Sequence, residues 1–186
     1  PKPSSAASDV YKRQAVEAGK PFNLEKPITL TAEEADILAK AAQEKNVKNM
    51  VCFSYRFKAA ARYAKDLIAQ GKIGRVYHVN MQYFQAWGLP RANCPLVWRY
   101  VKSRTGTGAL GDLGSHALDL VRFVTNKEYT RVVGHTGTYV HERPLLDGKG
   151  VGKVDVDDFS NYMADMEDEI SVSFQITRFA YGRGNY

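Results

Sequence analysis

Cysteine is scarce in this chain: 186 residues hold only Cys52 and Cys94. Two thiols cannot build a disulfide scaffold, and they fit a reducing compartment such as the cytoplasm. Long apolar runs are missing as well. No stretch approaches the roughly 18 apolar residues of a membrane span, so no membrane partner is expected. Charge of one sign is weak. Twenty-six Lys+Arg stand against 20 Asp+Glu for a net charge of +6, and the basic residues are scattered apart from Tyr11–Arg13 and Lys45–Lys48. Such a pattern describes a solvated surface and excludes a nucleic-acid footprint. Histidine is rare too, and His135 and His141 lack ligand spacing, so no metal site is expected. What is present is a 44% apolar composition. That excludes a disordered tail and supplies one ordinary domain, or the abutting parts of two.

The first fourteen residues, PKPSSAASDVYKRQ, carry neither a helical stripe nor strand alternation, and no apolar core of a signal peptide. Their end, Asp9 to Gln14, resembles the translation of a transposon adapter used in sequencing-library preparation. Residues 1–14 are therefore read as a non-native, disordered scar outside the fold.

From Ala15 the pattern is that of folded protein. Ala15–Gly19 reads as a helix end with Gly19 as its left-handed stop. Pro21–Leu24 reads as a strand, and Thr31 with Glu34 as a capping box before Ala35, Leu38 and Ala42 at helical spacing. Val47–Tyr55 reads as a buried strand. Helix, strand, helix, strand indicates the last part of a parallel α/β domain over residues 15–55. A second domain follows over residues 56–186. Ala60, Ala64, Leu67 and Ile68 stripe a helix ending at Gly71; Val76–Phe84 is a strand, Ala86–Thr107 a long loop and Leu110–Val124 a helix. Strands are expected at Val132–Val140, Val154–Met166 and Glu169–Phe179, the last two joined tightly at Glu167-Asp168. Successive strands imply a mostly antiparallel open sheet with helices on one face, in an α+β arrangement.

Gly106-Thr107-Gly108-Ala109-Leu110-Gly111 matches the dinucleotide pattern G-x-G-x-x-G, but the polar Arg99–Arg104 precedes it where a buried strand is required. It reads as a loop entering a closely packed helix. On that helix Leu113, Ala117, Leu120, Val121 and Val124 form one apolar stripe. Asp112, His116 and Asp119 lie about a hundred degrees around from it. A carboxylate and an imidazole leaving the first turns together suit proton transfer, with Asp112 as orienter or hydroxyl acceptor. Taken alone the same pair equally suits a capping aspartate and an ordinary hydrogen-bonded histidine. Lys26 follows a strand, where open α/β sheets bind ligands, and an ammonium there can stabilise an alkoxide.

The order of Leu24-Glu25-Lys26-Pro27, Tyr55-Arg56-Phe57, Gly71-Lys72-Ile73-Gly74, Trp98-Arg99 and Gly108–Asp119 closely resembles the Gfo/Idh/MocA family of nicotinamide-dependent oxidoreductases. The resemblance runs from Ala15 to Tyr186, and it departs at Ala59, where many relatives have proline. It implies the end of a Rossmann domain followed by a substrate and oligomerisation domain, with the chain truncated at both ends. It implies NAD or NADP as cofactor near Glu25, Lys26 and Pro27, and Lys26, Asp112 and His116 as the catalytic set. Tyr55, Arg99 and Asp157 are expected at the edge of a carbohydrate, polyol or inositol-like substrate. A homo-oligomer through the open sheet is implied too. The activity implied is oxidation of a secondary alcohol or reduction of a ketone by hydride transfer. Two other outcomes occur on the same scaffold: glycosidic cleavage by transient oxidation, and sugar sensing without turnover.

Overall fold

Thr31 and Glu34 close the predicted capping box. The Thr31 hydroxyl accepts from the Glu34 N–H, and the Glu34 carboxylate accepts from the Thr31 N–H. The helix they start, α2 (Ala32–Glu44), buries Leu38 and Ala42 beside Val16, with Phe22, Leu24 and Ile28 packed around them. The computed structural model describes residues 12–29 and 31–182. They divide into one unit ending at Phe53 and another starting at Ser54, two residues before the boundary read from the sequence.

In the first unit, a helix over residues 12–17 (α1) precedes strand β1 (Phe22–Leu24), which pairs in parallel with β2 (Asn49–Val51). The scar reading lies outside the described residues for 1–11 and is corrected for 12–14. Those three are helical because Val16 anchors the turn in the core, the Ala18 N–H bonds the Gln14 carbonyl at 2.9 Å, and the Lys12 ammonium donates to the Ile28 carbonyl. Gly19 stops the helix at φ +64°. The strand expected over Val47–Tyr55 is shorter. Val47 returns its N–H to the Ala42 carbonyl at 2.8 Å and so closes the end of α2, while the Phe53 N–H turns back to the Val51 carbonyl.

The second unit is a four-stranded sheet in the order β3 (His78–Phe84), β8 (Ser171–Thr177), β7 (Phe159–Met166), β4 (Tyr129–Gly137). β8, β7 and β4 are antiparallel neighbours and β3 joins in parallel beside β8, a mostly antiparallel sheet as expected. Period-2 alternation puts Val172, Phe174, Ile176 and Tyr162, Ala164, Met166 on one face. Leu113, Ala117 and Val121 of helix α5 (Ser115–Thr125) cover them, and Tyr162 stacks on Phe174 at 4.5 Å. Helix α3 (Ala59–Ala69) accompanies α5. The other face is open and mixed: Gln82, Gln175, Asn161 and His135 form one row across the sheet, and Met163 and Val133 are exposed in the next.

The loop over Ala86–Thr107 is less loose than its sequence suggests. It contains single helical turns at Pro90–Ala92 and Trp98–Tyr100 and a short helix, α4 (Lys102–Thr105). A separate small core forms under it from Tyr100, Val154 and Val156 with Trp87, Leu96 and Val97. A two-stranded ribbon, β5 (Glu142–Pro144) with β6 (Val151–Lys153), carries the buried Arg143 against that core.

Burial pushes the phenols of Tyr100, Tyr129 and Tyr162 up from the ordinary value of 10.0, desolvation being the leading cause in each. A raised pKa in the folded state stabilises the fold fully below the unfolded value and loses that stability as pH rises past it toward the folded one. Three of the eleven tyrosines should therefore ionise only as the protein unfolds above about pH 10. Phenolate absorbance followed alongside near-ultraviolet circular dichroism tests this. Complete, reversible titration near pH 10 with the fold intact would refute it.

Candidate active site

The helix carrying Asp112 and His116 is started by a carboxylate from the segment that enters β7. Asp157 Oδ1 accepts from the Gly108 N–H at 2.8 Å and Oδ2 from the Leu110 N–H at 2.7 Å, while its carbonyl takes the Ala109 N–H at 2.9 Å. Gly108 is required for that approach, since a Cβ there would sit 2.0 Å from the Asp157 carbonyl oxygen. Leu110–Gly114 then makes a π-turn, the Ser115 N–H reaching back five residues to the Leu110 carbonyl, before α5 proper. Such turns re-aim side chains and recur at functional sites.

Asp112, within the π-turn, faces two arginines. Arg178 donates to its Oδ2 at 3.2 Å and the Arg99 Nε lies 3.8 Å away. Arg99 also lies over its neighbour Trp98 at 4.3 Å, so it is both a stacked cation and a partner of Asp112. His116, one turn on, packs its ring against Tyr55 at 4.9 Å and Tyr83 at 6.4 Å, and the two tyrosine hydroxyls hydrogen-bond each other. Asp119 is buried and held bidentately by Arg56, whose Nε donates at 2.8 Å; the guanidinium also covers Phe123. This pair fixes the Ser54–Phe57 turn, and with it Tyr55, to α5.

In the first unit, Glu25, Lys26 and Pro27 follow the carboxyl end of β1, and the Lys26–Pro27 bond is cis. They line a pocket of about 490 Å³ together with Phe22 and Leu24. The Gly106–Gly111 pattern is no phosphate cradle: helix α4 precedes it instead of a strand, and Gly108 and Gly111 are closed over by Asp157 and Thr107. Among the described residues no group of His, Cys, Asp and Glu could hold a metal ion, and no helix is long and apolar enough to cross a membrane.

Asp157 is the residue expected at the substrate edge. Both its oxygens serve backbone amides, a capping role that the sequence could not reveal for residues so far apart. Three partners were missed. Arg178 had a signal, being a charge at the fourth inward place of the alternation Val172, Phe174, Ile176, Arg178. The Arg56–Asp119 pair and Tyr83 had none beyond the Tyr55-Arg56-Phe57 motif itself.

The family profile described as "GFO/IDH/MocA C-terminal domain" matches residues 61–186, and that described as "Oxidoreductase family, NAD-binding Rossmann fold" matches residues 4–53. Levoglucosan dehydrogenase of Pseudarthrobacter phenanthrenivorans is 38% identical over 184 residues, covering 92% of this chain and 47% of that protein. The scyllo-inositol 2-dehydrogenase (NADP(+)) of Bacillus subtilis is 36% identical over 104 residues, 56% of this chain and 28% of its own. The chain spans about half the length of the curated relatives it matches. Among solved structures, an oxidoreductase domain protein from Kribbella flavida superposes with a TM-score of 0.90 at 40% identity, covering 98% of this chain and 48% of that one. Levoglucosan dehydrogenase in complex with NADH does so with 0.89 at 38%, covering 96% and 47%.

Asp157→Ala should cost about 1–3 kcal/mol of stability, the loss of a helix-starting acceptor plus stranded amides. Asp157→Asn, which keeps one acceptor, should recover part of that in urea unfolding. Unchanged stability with weakened sugar binding would return Asp157 to the substrate edge.

Proposed function

The chain belongs to the GFO/IDH/MocA oxidoreductase family, and from that membership we propose that it supplies the proton-transfer and substrate-recognition half of an NAD(P)-dependent enzyme interconverting a secondary alcohol and a ketone on a sugar, polyol or inositol-like molecule. One observation carries the reading. Asp112 and His116 leave the first turns of one helix, each seated by its own partners, Arg178 and Arg99 for the carboxylate and Tyr55 and Tyr83 for the imidazole.

Oxidation of a secondary alcohol requires the hydroxyl proton to leave as hydride departs from the same carbon. His116 accepts that proton as the general base. The Lys26 ammonium stabilises the alkoxide character that develops on the oxygen. Asp112 accepts a hydrogen bond from a neighbouring substrate hydroxyl or orients the imidazole. Tyr55 and Arg99 border the same substrate. The nicotinamide, when bound, supplies the hydride acceptor. Glu25, Lys26 and Pro27 fit its ring end, because their pocket combines charged groups with the apolar Phe22 and Leu24, which suits a flat ring bearing one amide. Reversed, the same groups reduce a ketone. The enzyme is read as cytoplasmic, consistent with two free thiols, and as a homo-oligomer joined through the open sheet face around Met163 and Val133.

In a complete enzyme carrying these residues, His116→Ala should lower kcat by about 10²–10⁴. Lys26→Ala should act mainly on kcat, because its charge meets the substrate oxygen most strongly in the transition state. Effects confined to KM in both variants would move proton transfer and alkoxide stabilisation elsewhere. Separately, the 186-residue chain should not bind NADH or NADPH at micromolar concentration, since the pyrophosphate needs a strand–glycine turn–helix that Gly106–Gly111 does not provide. Nicotinamide fluorescence reads this out, and micromolar binding would reopen the glycine segment.

A further inference from the structure

Arg178 is the side chain of the second unit whose position most needs explaining. It follows β8 at an inward place of the alternation and is 0% exposed. Trp87 lies 4.8 Å from its guanidinium and Tyr100 5.7 Å. A second buried arginine, Arg143, lies over Tyr100 at 4.0 Å, so like charge is near. Arg178 cannot shed its proton, and its Nε and Nη1 have no hydrogen-bond partner among the described residues. Burial of a cation with unused donors is unfavourable unless an anion compensates it. Asp158, whose carbonyl takes the Arg178 N–H at 3.1 Å, accepts with its Oδ2 from the amides of Tyr139 and Val140 at 2.9 and 3.1 Å, and its buried Oδ1 makes no hydrogen bond to Arg178. The carboxylate that Arg178 does reach is Asp112, at 3.2 Å.

We propose that Arg178 is the positioning residue of Asp112, holding the site carboxylate in one orientation against the end of the sheet. The proposal rests on the reading of Asp112 as a site residue. The π-turn makes such an anchor useful: it departs from regular helical hydrogen bonding where Asp112 leaves the backbone, so the orientation of the carboxylate depends on what binds it. Arg99 is a weaker restraint, because it is 44% exposed and 3.8 Å away, where solvent screens the pair. Trp87 and Tyr100 in turn fix the plane of the Arg178 guanidinium, so the loop over residues 86–107 reaches the site carboxylate through a stacked cation.

In the complete enzyme, Arg178→Gln should lower kcat about 10²-fold, the usual effect of misplacing a reacting group by an ångström, with a smaller change in KM. Arg178→Lys, which keeps the charge without the planar fork, should recover part of the loss. The decisive measurement is a double-mutant cycle. In an Asp112→Asn background, Arg178→Gln should cost less than about threefold more. Losses that simply multiply would overturn the proposal.

A second arm uses melting temperature and no turnover. Asp112→Asn strands the buried guanidinium and should lower the Tm by about 5 °C or more, whereas Asp112→Asn with Arg178→Met should be less destabilised than Asp112→Asn alone. Additive Tm shifts would also overturn the proposal, and the same arm serves if Arg178→Gln folds poorly. Normal turnover by Asp112→Asn together with coupled melting would instead overturn the catalytic reading while leaving the pair intact.

Discussion

Both oxygens of the Asp157 carboxylate bind the amides that open the site helix, and the placement of the second unit's site residues follows from those bonds. The first amides of a helix have no partner within it and carry the positive end of its dipole. A carboxylate supplied from the strand side satisfies both needs and ties the helix start to the chain entering β7. Gly108 permits the contact, since any side chain would collide with Asp157. Once the start is fixed, Leu113, Ala117 and Val121 fall onto the inward row of β7 and β8, and the polar side of the same helix is turned toward the sheet end. Asp112 and His116 thus depend on a carboxylate that touches neither of them.

Much of this was legible in the sequence because it is local. The capping box of α2, the stop at Gly19, the stripe of α5 and the spacing of Asp112 and His116 are each written within a few residues. What was illegible joins distant segments. Nothing in the sequence pairs Asp157 with Gly108, so its capping of the site helix could not be read there. Nothing pairs Arg56 with Asp119 either. Val47 misled for the opposite reason: it is apolar and β-branched, yet its N–H closes a helix, so the strand begins only at Asn49. Lys12 to Gln14 gave no helical pattern of their own and are helical through Val16, a residue just past the stretch set aside.

Tyr100 shows how the loop over residues 86–107 is made rigid without much apolar bulk. Its ring carries Arg143 on one side of the loop core and meets Arg178 at longer range, while Trp87 packs at 5.3 Å. Arg143 donates to the carbonyls of Gly88 and Cys94, so the loop backbone is tied to a cation that the β5–β6 ribbon delivers. Exchanging such buried cations for well-packed apolar residues is commonly neutral or favourable for stability. Their presence here is therefore better explained by geometry than by stability: a guanidinium fixes directions as an aliphatic side chain cannot. Departures from an apolar interior of this kind are expected where function sets the residue.

The division of labour between the two units follows. Asp112, His116, Tyr55, Tyr83, Arg99 and Arg178 all belong to the second unit, as do the aromatic and guanidinium groups described around Asp112 and His116. The Asp112 carboxylate and the His116 imidazole are therefore positioned by the sheet, its helix and its loop. Lys26 and the parallel strand before it belong to the first unit and stand on a different core, that of Val16, Leu38 and Ala42. Changes to the loop over residues 86–107, or to the inward row of β8, reach Asp112 without passing through the parallel strands. The helix that carries Asp112 and His116 and the strand-end lysine thus stand on separate cores.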